Sequence, residues 1–317
     1  MRAVVFAYHD VGVRCLQVLL ARGVDVALVV THDDNPSETI WFGSVADLCK
    51  EHGIACIAPP DPSTPDVLAQ VRAAQPDFLF SFYYRHMLPL TLLEVPPLGA
   101  FNMHGSLLPR YRGRVPVNWA VLHGETETGA TLHAMVAKPD AGFIVAQTSV
   151  PILPDDTAPE VFAKVVVAAE QTLWRVLPEM LAGRTPMLPN LLSQGSYFGG
   201  RRPEDGRIDW KQPAQAVYNL VRAVAPPYPG AWTFIGDMRM VVAEARLLPA
   251  SRAIQPRAGT FAHEQANLAS GLAVVDNCIL GVCGDGGMLA IRTLLRNDAP
   301  VSADELDALL RQRPPIQ

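Results

Sequence analysis

Hydrophobic and polar positions change period along the chain in a regular way. Residues 2–8 are a continuous apolar run, the pattern of a strand covered on both faces. Tyr8-His9-Asp10-Val11-Gly12 then turns into an amphipathic helix up to Arg22, which Gly23 closes. The alternation repeats: strand 25–30, helix 43–52 with Gly53 as its cap, a short strand at 54–57 broken by Pro59-Pro60, helix 65–74, and apolar strands at 77–82 and 99–104. Pro116 starts a helix to about His123, strands follow at 128–135 and 142–152, and a helix over 158–182 is capped by Asp155 or Asp156 and ended by Gly183. Strands alternating with helices predict βαβ units and an α/β domain with a parallel sheet.

The pattern then changes. Residues 184–212 hold four glycines or prolines before residue 200, few periodic apolar positions, and Arg201-Arg202. Pro213 starts a helix to residue 225, and Pro226-Pro227-Tyr228-Pro229-Gly230 ends it. Short strands follow at 231–235, 239–247, 258–261, 272–276, 278–282 and 288–295, with a short amphipathic helix over 302–312. That spacing predicts a small antiparallel barrel. The expected organisation is a catalytic domain over 1–195, a linker over 196–212 and a smaller β subdomain over 213–317.

Composition removes several function classes. The net charge is −5, and residues 201–317 carry 13 Lys+Arg against 12 Asp+Glu, so no dense basic face for nucleic acid is expected. No long apolar run suggests a spanning helix, and Met1–Tyr8 lacks the features of a signal peptide. Five cysteines without CxxC spacing suggest neither a disulfide framework nor a zinc site, so no metal is expected and a reduced, cytoplasmic setting fits. The first strand–helix turn lacks G-x-G-x-x-G, against a dinucleotide enzyme. No G-x-S-x-G elbow is present, against a serine hydrolase.

The candidate chemistry lies at Phe101-Asn102-Met103-His104-Gly105-Ser106-Leu107-Leu108-Pro109. Side chains alternate faces on a strand, so Asn102 and His104 point one way and Met103 the other, into the core. An amide can steady an oxyanion and an imidazole can move a proton near neutral pH. Asp140, in the turn Lys138-Pro139-Asp140-Ala141-Gly142, supplies a carboxylate that would raise the imidazole pKa. Arg110, Arg112 and Arg114 fall within five residues, and guanidinium forks suit phosphates and carboxylates. Asn118 lies on the helix that Pro116 starts, and Arg201 offers a further guanidinium in the linker.

Asn-x-His followed by Ser-Leu-Leu-Pro, with Asp-Ala-Gly some three dozen residues on, resembles the folate-dependent formyltransferases. Phe6–Asp10, Ser81–His86, Tyr111–Arg114, Gly124–Gly129, Phe198–Arg202 and Val221–Ala225 resemble one branch, the formyltransferase part of the bifunctional polymyxin-resistance proteins. The resemblance covers about residues 1–300. It implies a Rossmann-like catalytic domain with an OB-like C-terminal barrel, and Asn102, His104 and Asp140 as the catalytic residues. It further implies 10-formyltetrahydrofolate as cosubstrate, cradled by His86, Met87, Leu88, Arg114 and residues Val136, Ala137, Lys138, Pro139 and Asp140. The substrate implied is UDP-4-amino-4-deoxy-L-arabinose, formylated on its 4-amino group, with Asn118 facing the nucleotide sugar and Arg112 and Arg201 reaching its diphosphate; other nucleotide-linked amino sugars and methionyl-tRNA are the alternatives. Methionyl-tRNA formyltransferases carry a longer, basic loop near residues 31–47, where this chain has Asp33, Asp34, Glu38 and Asp47 and no Lys or Arg. Members of the resembling branch carry a second, oxidative decarboxylase domain. The present sequence stops at Gln317, so either a separate decarboxylase supplies that step or the sequence is part of a longer chain.

Overall fold

The computed structural model describes residues 1–36, 38–249 and 270–311. Its elements are β1 (Arg2–Ala7), α1 (His9–Ala21), β2 (Asp25–Val30), α2 (Val45–His52), β3 (Cys56–Ile57), α3 (Pro65–Ala73), β4 (Phe78–Phe82), α4 (Leu90–Leu93) and β5 (Ala100–His104). There follow β6 (Arg112–Gly113), α5 (Pro116–Leu122), β7 (Glu127–Ala134), β8 (Ile144–Pro151), α6 (Ala158–Leu181), β9 (Tyr197–Phe198) and α7 (Ala214–Ala223). The chain closes with β10 (Ala231–Ile235), β11 (Met238–Leu247), β12 (Gly271–Val275), β13 (Cys278–Val282), β14 (Met288–Arg296), β15 (Ala299–Pro300) and α8 (Ala303–Arg311). The strand expected over 258–261 lies outside the described residues.

Two compact units emerge. The first comprises 1–117, 127–152 and 161–200; the second comprises 118–126, 153–160 and 201–317. The first unit holds a seven-stranded sheet in the order β3-β2-β1-β4-β5-β7-β8. Strands β1 to β5 pair in parallel, and β7 and β8 are antiparallel. The sheet is therefore mixed, not wholly parallel, because the loop after β7 returns the chain directly as a neighbouring strand. Every residue of β4 is buried, as its unbroken apolar run requires. Phe78, Phe80 and Phe82 stack in a row with Phe101 beside Phe80, and all four rings are fully buried. Truncating one of them to alanine is worth about 3–5 kcal/mol of stability.

The second unit holds an antiparallel sheet in the order β10-β11-β14-β13-β12, with β15 added to β14. Among the described residues the sheet is a curled half-barrel, in keeping with the small antiparallel barrel expected. Helix α7 buries Val217, Tyr218 and Val221 in a core with Met240, Val242, Leu289 and Leu294. Asp155 accepts a hydrogen bond from the Tyr218 hydroxyl and Asp156 one from the Leu153 N–H, whereas Thr157, next to the helix, bonds Glu160 three residues on.

The first unit carries a built-in acid sensitivity. His9 sits in a nest of Phe42, Trp41 and Phe162 with ring centroids at 3.8, 4.7 and 4.7 Å. Burial, helped by Arg85, lowers its pKa to about 3. Burial first, then His86 and Arg85, lowers His32 to about 4. A histidine whose folded pKa lies below its unfolded value favours the folded state while neutral, and that contribution is lost as pH falls below about 6.5. His9 alone is worth at most about 2 kcal/mol between pH 7 and pH 5. Urea unfolding is expected to show lower stability at pH 5 than at pH 7, with a smaller difference in His9→Phe. An equal difference in both proteins would contradict this account.

Candidate active site

The site is built on one face of the sheet across the β5–β7 seam. Cross-strand register sets Asn102 opposite His133 and His104 opposite Thr131, while Thr131 in turn faces Gln147 on β8. Met103 points to the other face, next to Phe82 in register, and is 1% exposed. The alternation expected for residues 102–104 is therefore present.

Asp140 reaches the same face from the loop between β7 and β8. Its Oδ1 lies 3.6 Å from His104 Nδ1 and 3.4 Å from His133 Nε2. Its Oδ2 accepts a 2.8 Å hydrogen bond from the Gly113 N–H. Gly113 has φ +98°, and a Cβ there would collide with the Phe198 carbonyl, so only glycine delivers that N–H. Gly142 is similarly confined, since its Cβ would strike the Ala134 carbonyl. Asp140 itself has φ +49°, an uncommon conformation for a residue with a side chain.

His104 is buried and held at both nitrogens. Its Nε2–H donates to the Tyr111 carbonyl at 2.8 Å. In the neutral ring Nδ1 then bears the lone pair and faces Asp140. The Ser106 hydroxyl donates to the Arg110 carbonyl at 2.7 Å and also to that of Tyr111 at 3.3 Å. Behind them, Gln147 donates to both the Leu108 carbonyl and Thr131 Oγ1, and Thr131 donates to the Ser106 carbonyl. This network fixes the segment after β5 that presents the Tyr111 carbonyl.

The electrostatics differ from the expectation in one respect. Asp140 and the Tyr111 carbonyl do favour the charged imidazole, but burial outweighs them, His133 adds to it, and the pKa of His104 is lowered overall. The ring is therefore a neutral base at neutral pH, with an anion beside the nitrogen that would take a proton. Burial alone would push the Asp140 carboxyl up, yet His104, His133 and the Gly113 N–H together hold it well below the usual carboxylate range.

His133 escaped sequence reading. It is 2% exposed, its Nδ1–H donates to the Ala134 carbonyl at 2.9 Å, and its Nε2 lies 3.1 Å from Asn102 Nδ2. The Asn102 amide carries two N–H groups, and the His133 contact engages one, which leaves Asn102 a second N–H. Only the antiparallel register of β7 could have disclosed it, and the sequence suggested a parallel neighbour.

The other predicted residues fall in different places. His86 is exposed, its ring 4.9 Å from that of His32. Met87 is 62% exposed, whereas Leu88 belongs to the core with Phe6, Leu79 and Leu92. Val136, Ala137 and Lys138 are exposed, Pro139 is half-buried, and the backbone bonding of β7 to β5 ends at the Met135 N–H. Arg114 is exposed; its N–H donates to the Phe198 carbonyl. Arg112 is buried on β6, with an Nε that has no hydrogen-bond partner among the described residues. Asn118 and Arg201 belong to the second unit. The Asn118 amide is 6% exposed and donates to the Ala223 carbonyl, a bracing role in place of the sugar-facing one expected. Arg201 lies over the Trp119 ring at 5.1 Å and donates to the Asp205 carbonyl. In the acidic loop Glu38 takes a bidentate bond from Arg85, and Asp34 one from the Tyr8 hydroxyl.

Residues 2–177 match the formyl transferase family, and residues 201–308 match the formyl transferase C-terminal domain. The chain belongs to the formyl transferase family. This formyltransferase shares its fold with an N-formyltransferase from Helicobacter canadensis, solved with folinic acid and dTDP-3-aminofucose, at 17% identity and a TM-score of 0.66 over 92% of this chain and 98% of that one. It also resembles WlaRD, a sugar 3N-formyl transferase solved in the presence of dTDP and 5-N-formyl-THF, at 17% identity and a TM-score of 0.68 over 94% and 98%. A third likeness is HypX from Aquifex aeolicus in complex with tetrahydrofolic acid, at 16% identity and a TM-score of 0.63, covering 96% of this formyltransferase and 46% of HypX. Among the described residues no group of His, Cys, Asp and Glu is arranged to hold a metal ion, and no helix is long and apolar enough to cross a membrane.

Proposed function

We propose that this formyltransferase moves the formyl group of 10-formyltetrahydrofolate onto the amine of a nucleotide-linked amino sugar, specifically the 4-amino group of UDP-4-amino-4-deoxy-L-arabinose. The observation that carries the reading is the meeting of Asn102, His104 and Asp140 on one sheet face. The sugar class rests on the nucleotides and folates bound to the H. canadensis enzyme and WlaRD, and the particular sugar on the motifs shared with the polymyxin-resistance protein ArnA. On that reading the product serves lipid A modification in the cytoplasm, with a separate decarboxylase making the sugar precursor if this chain carries none.

The residues present suit a flat folate. Exposed Met87 offers an apolar surface, the exposed 136–138 backbone offers donors and acceptors for a heterocycle edge, and His86, Arg114 and Pro139 offer further contacts, with Leu88 backing Met87 from the core. The cosubstrate supplies the activated formyl carbon. As the amine bonds to that carbon, Asn102 donates its second N–H to the oxygen on which charge develops. His104 accepts a proton from the attacking amine at Nδ1, and Asp140 stabilises the imidazolium. The same proton then goes to the folate nitrogen as its bond to the formyl carbon breaks. His133 positions the Asn102 amide. The buried Arg112, whose Nε has no hydrogen-bond partner among the described residues, meets the phosphates.

A product assay tests this directly: formyl-folate with UDP- and dTDP-linked amino sugars and with charged methionyl-tRNA. Formylation of the UDP-arabinose amine above the others is expected. Preference for tRNA would overturn the reading, which the net charge of −5 already disfavours. Asn102→Ala should lower kcat about 10²–10³-fold, the usual effect of deleting an oxyanion donor. A fall in kcat/KM confined to KM would contradict that role.

A further inference from the structure

We infer that Asn190, fifty residues from Asp140 in the chain and outside every motif of the family resemblance, is a positioning residue for the His104–Asp140 pair; this rests on the reaction proposed above. Its Nδ2 donates to two carbonyls at once, those of Asp140 and Gly142, each at 3.0 Å. Two acceptors converging on one atom settle its identity, because an oxygen there would repel both. Asn190 is itself anchored. Leu188, two residues earlier, pairs with Ile144 through reciprocal backbone bonds of 2.9 and 2.8 Å. The stretch 188–190 is thus a strap laid along the start of β8, with its one amide fastened to the Asp140 turn.

That turn needs a fastener. Asp140 holds φ +49°, a strained conformation for a residue with a Cβ. The carboxylate is fixed at its Oδ2 by the Gly113 N–H, but its backbone is fixed by Asn190. Fixing both ends sets the 3.6 Å approach of Oδ1 to His104 Nδ1. Without Asn190 the turn can relax toward negative φ, and the carboxylate swings with it. The groups facing His104 are Asp140, His133 and the Tyr111 carbonyl. The Tyr111 carbonyl has its own supports in Ser106 and the Tyr111 N–H bond to Ser196 Oγ, so among these three the loss of Asn190 acts on Asp140.

The test uses the full chain with Asn190→Ala, and with Asn190→Gln, which retains the amide. The first readout is an NMR titration of His104, assigned through His104→Gln. In Asn190→Ala the midpoint should fall by about half a pH unit or more, because a carboxylate is withdrawn from the ring. Asn190→Gln should return part of the way. The second readout is kinetic: kcat in Asn190→Ala should fall about 10- to 100-fold, the scale of a misplaced catalytic group, with KM for both substrates little changed. In the Asp140→Asn background the same substitution should add almost nothing. A purely structural role predicts lower thermal stability with an unmoved His104 midpoint, and that result overturns the proposal. If the wild type transfers no formyl group to any amino sugar, the functional reading fails while the titration still decides the part played by Asn190.

Discussion

His104→Gln is expected to abolish most turnover, lowering kcat by about 10²–10⁴-fold while leaving the protein folded. Two features make this ring hard to replace. Its Nε2–H is committed to the Tyr111 carbonyl, so the basic nitrogen is Nδ1, aimed at Asp140. Burial lowers its pKa, so the base form prevails at neutral pH. Glutamine can preserve a donor toward Tyr111 but has no nitrogen that takes up a proton. The loss should therefore lie in kcat, with KM for the amino sugar moving little. Steady-state kinetics on a variant shown to unfold at a temperature near that of the wild type is the measurement. A kcat within a few-fold of wild type would remove His104 from the mechanism.

Much of this site is legible in the sequence. The period-2 logic of strand β5 places Asn102 and His104 on one face because the flanking Phe101 and Met103 must be buried. Pro139 and Gly142 mark a turn around Asp140, though not its left-handed φ. What the sequence concealed has a common cause. His133 joins the site through antiparallel pairing, and strand direction leaves no periodic trace. Residues 184–198 show few periodic apolar positions, yet the Ser196 hydroxyl accepts the Tyr111 N–H and the Ser196 and Phe198 carbonyls accept those of Arg112 and Arg114, in two-residue strands that show no alternation. Asn190 belongs to the same stretch, and a polar residue between prolines and leucines is indistinguishable from a solvated one until its partners are known. The net direction of the His104 pKa was misjudged for a related reason. A carboxylate can be recognised in a sequence, but the depth at which a ring is buried cannot, and here burial is the larger effect.

Asp140→Asn should lower kcat by about 10³-fold and shift the pH profile in a defined direction. At 3.6 Å, and with an effective dielectric of about 20, the attraction between Asp140 and a protonated His104 is worth roughly 4–5 kcal/mol, or about three powers of ten in rate. Asparagine keeps an oxygen for the Gly113 N–H and a backbone carbonyl for Asn190, so the turn should persist and the change should be chiefly one of charge. The sign of the pH effect follows from the two groups separately. Asp140 is held below the usual carboxylate range, so it stays ionised throughout the working range, and the acid limb of the profile reports His104. Removing the anion leaves burial and His133 unopposed except by the Tyr111 carbonyl, so His104 protonates only at lower pH. The acid limb of kcat/KM should accordingly move down in pH even as the plateau drops. A variant that merely misfolds would lower the plateau without moving the limb. A variant with unchanged kcat and an unmoved limb would show that the carboxylate exerts no influence on the ring it faces. Stability offers a second reading of the same charge. An acid with a depressed pKa stabilises the folded state above about pH 4 and loses that contribution as pH falls further. Asp140→Asn should therefore be less stable than wild type near neutrality, and the gap should narrow toward pH 3, which urea titrations at three pH values can measure.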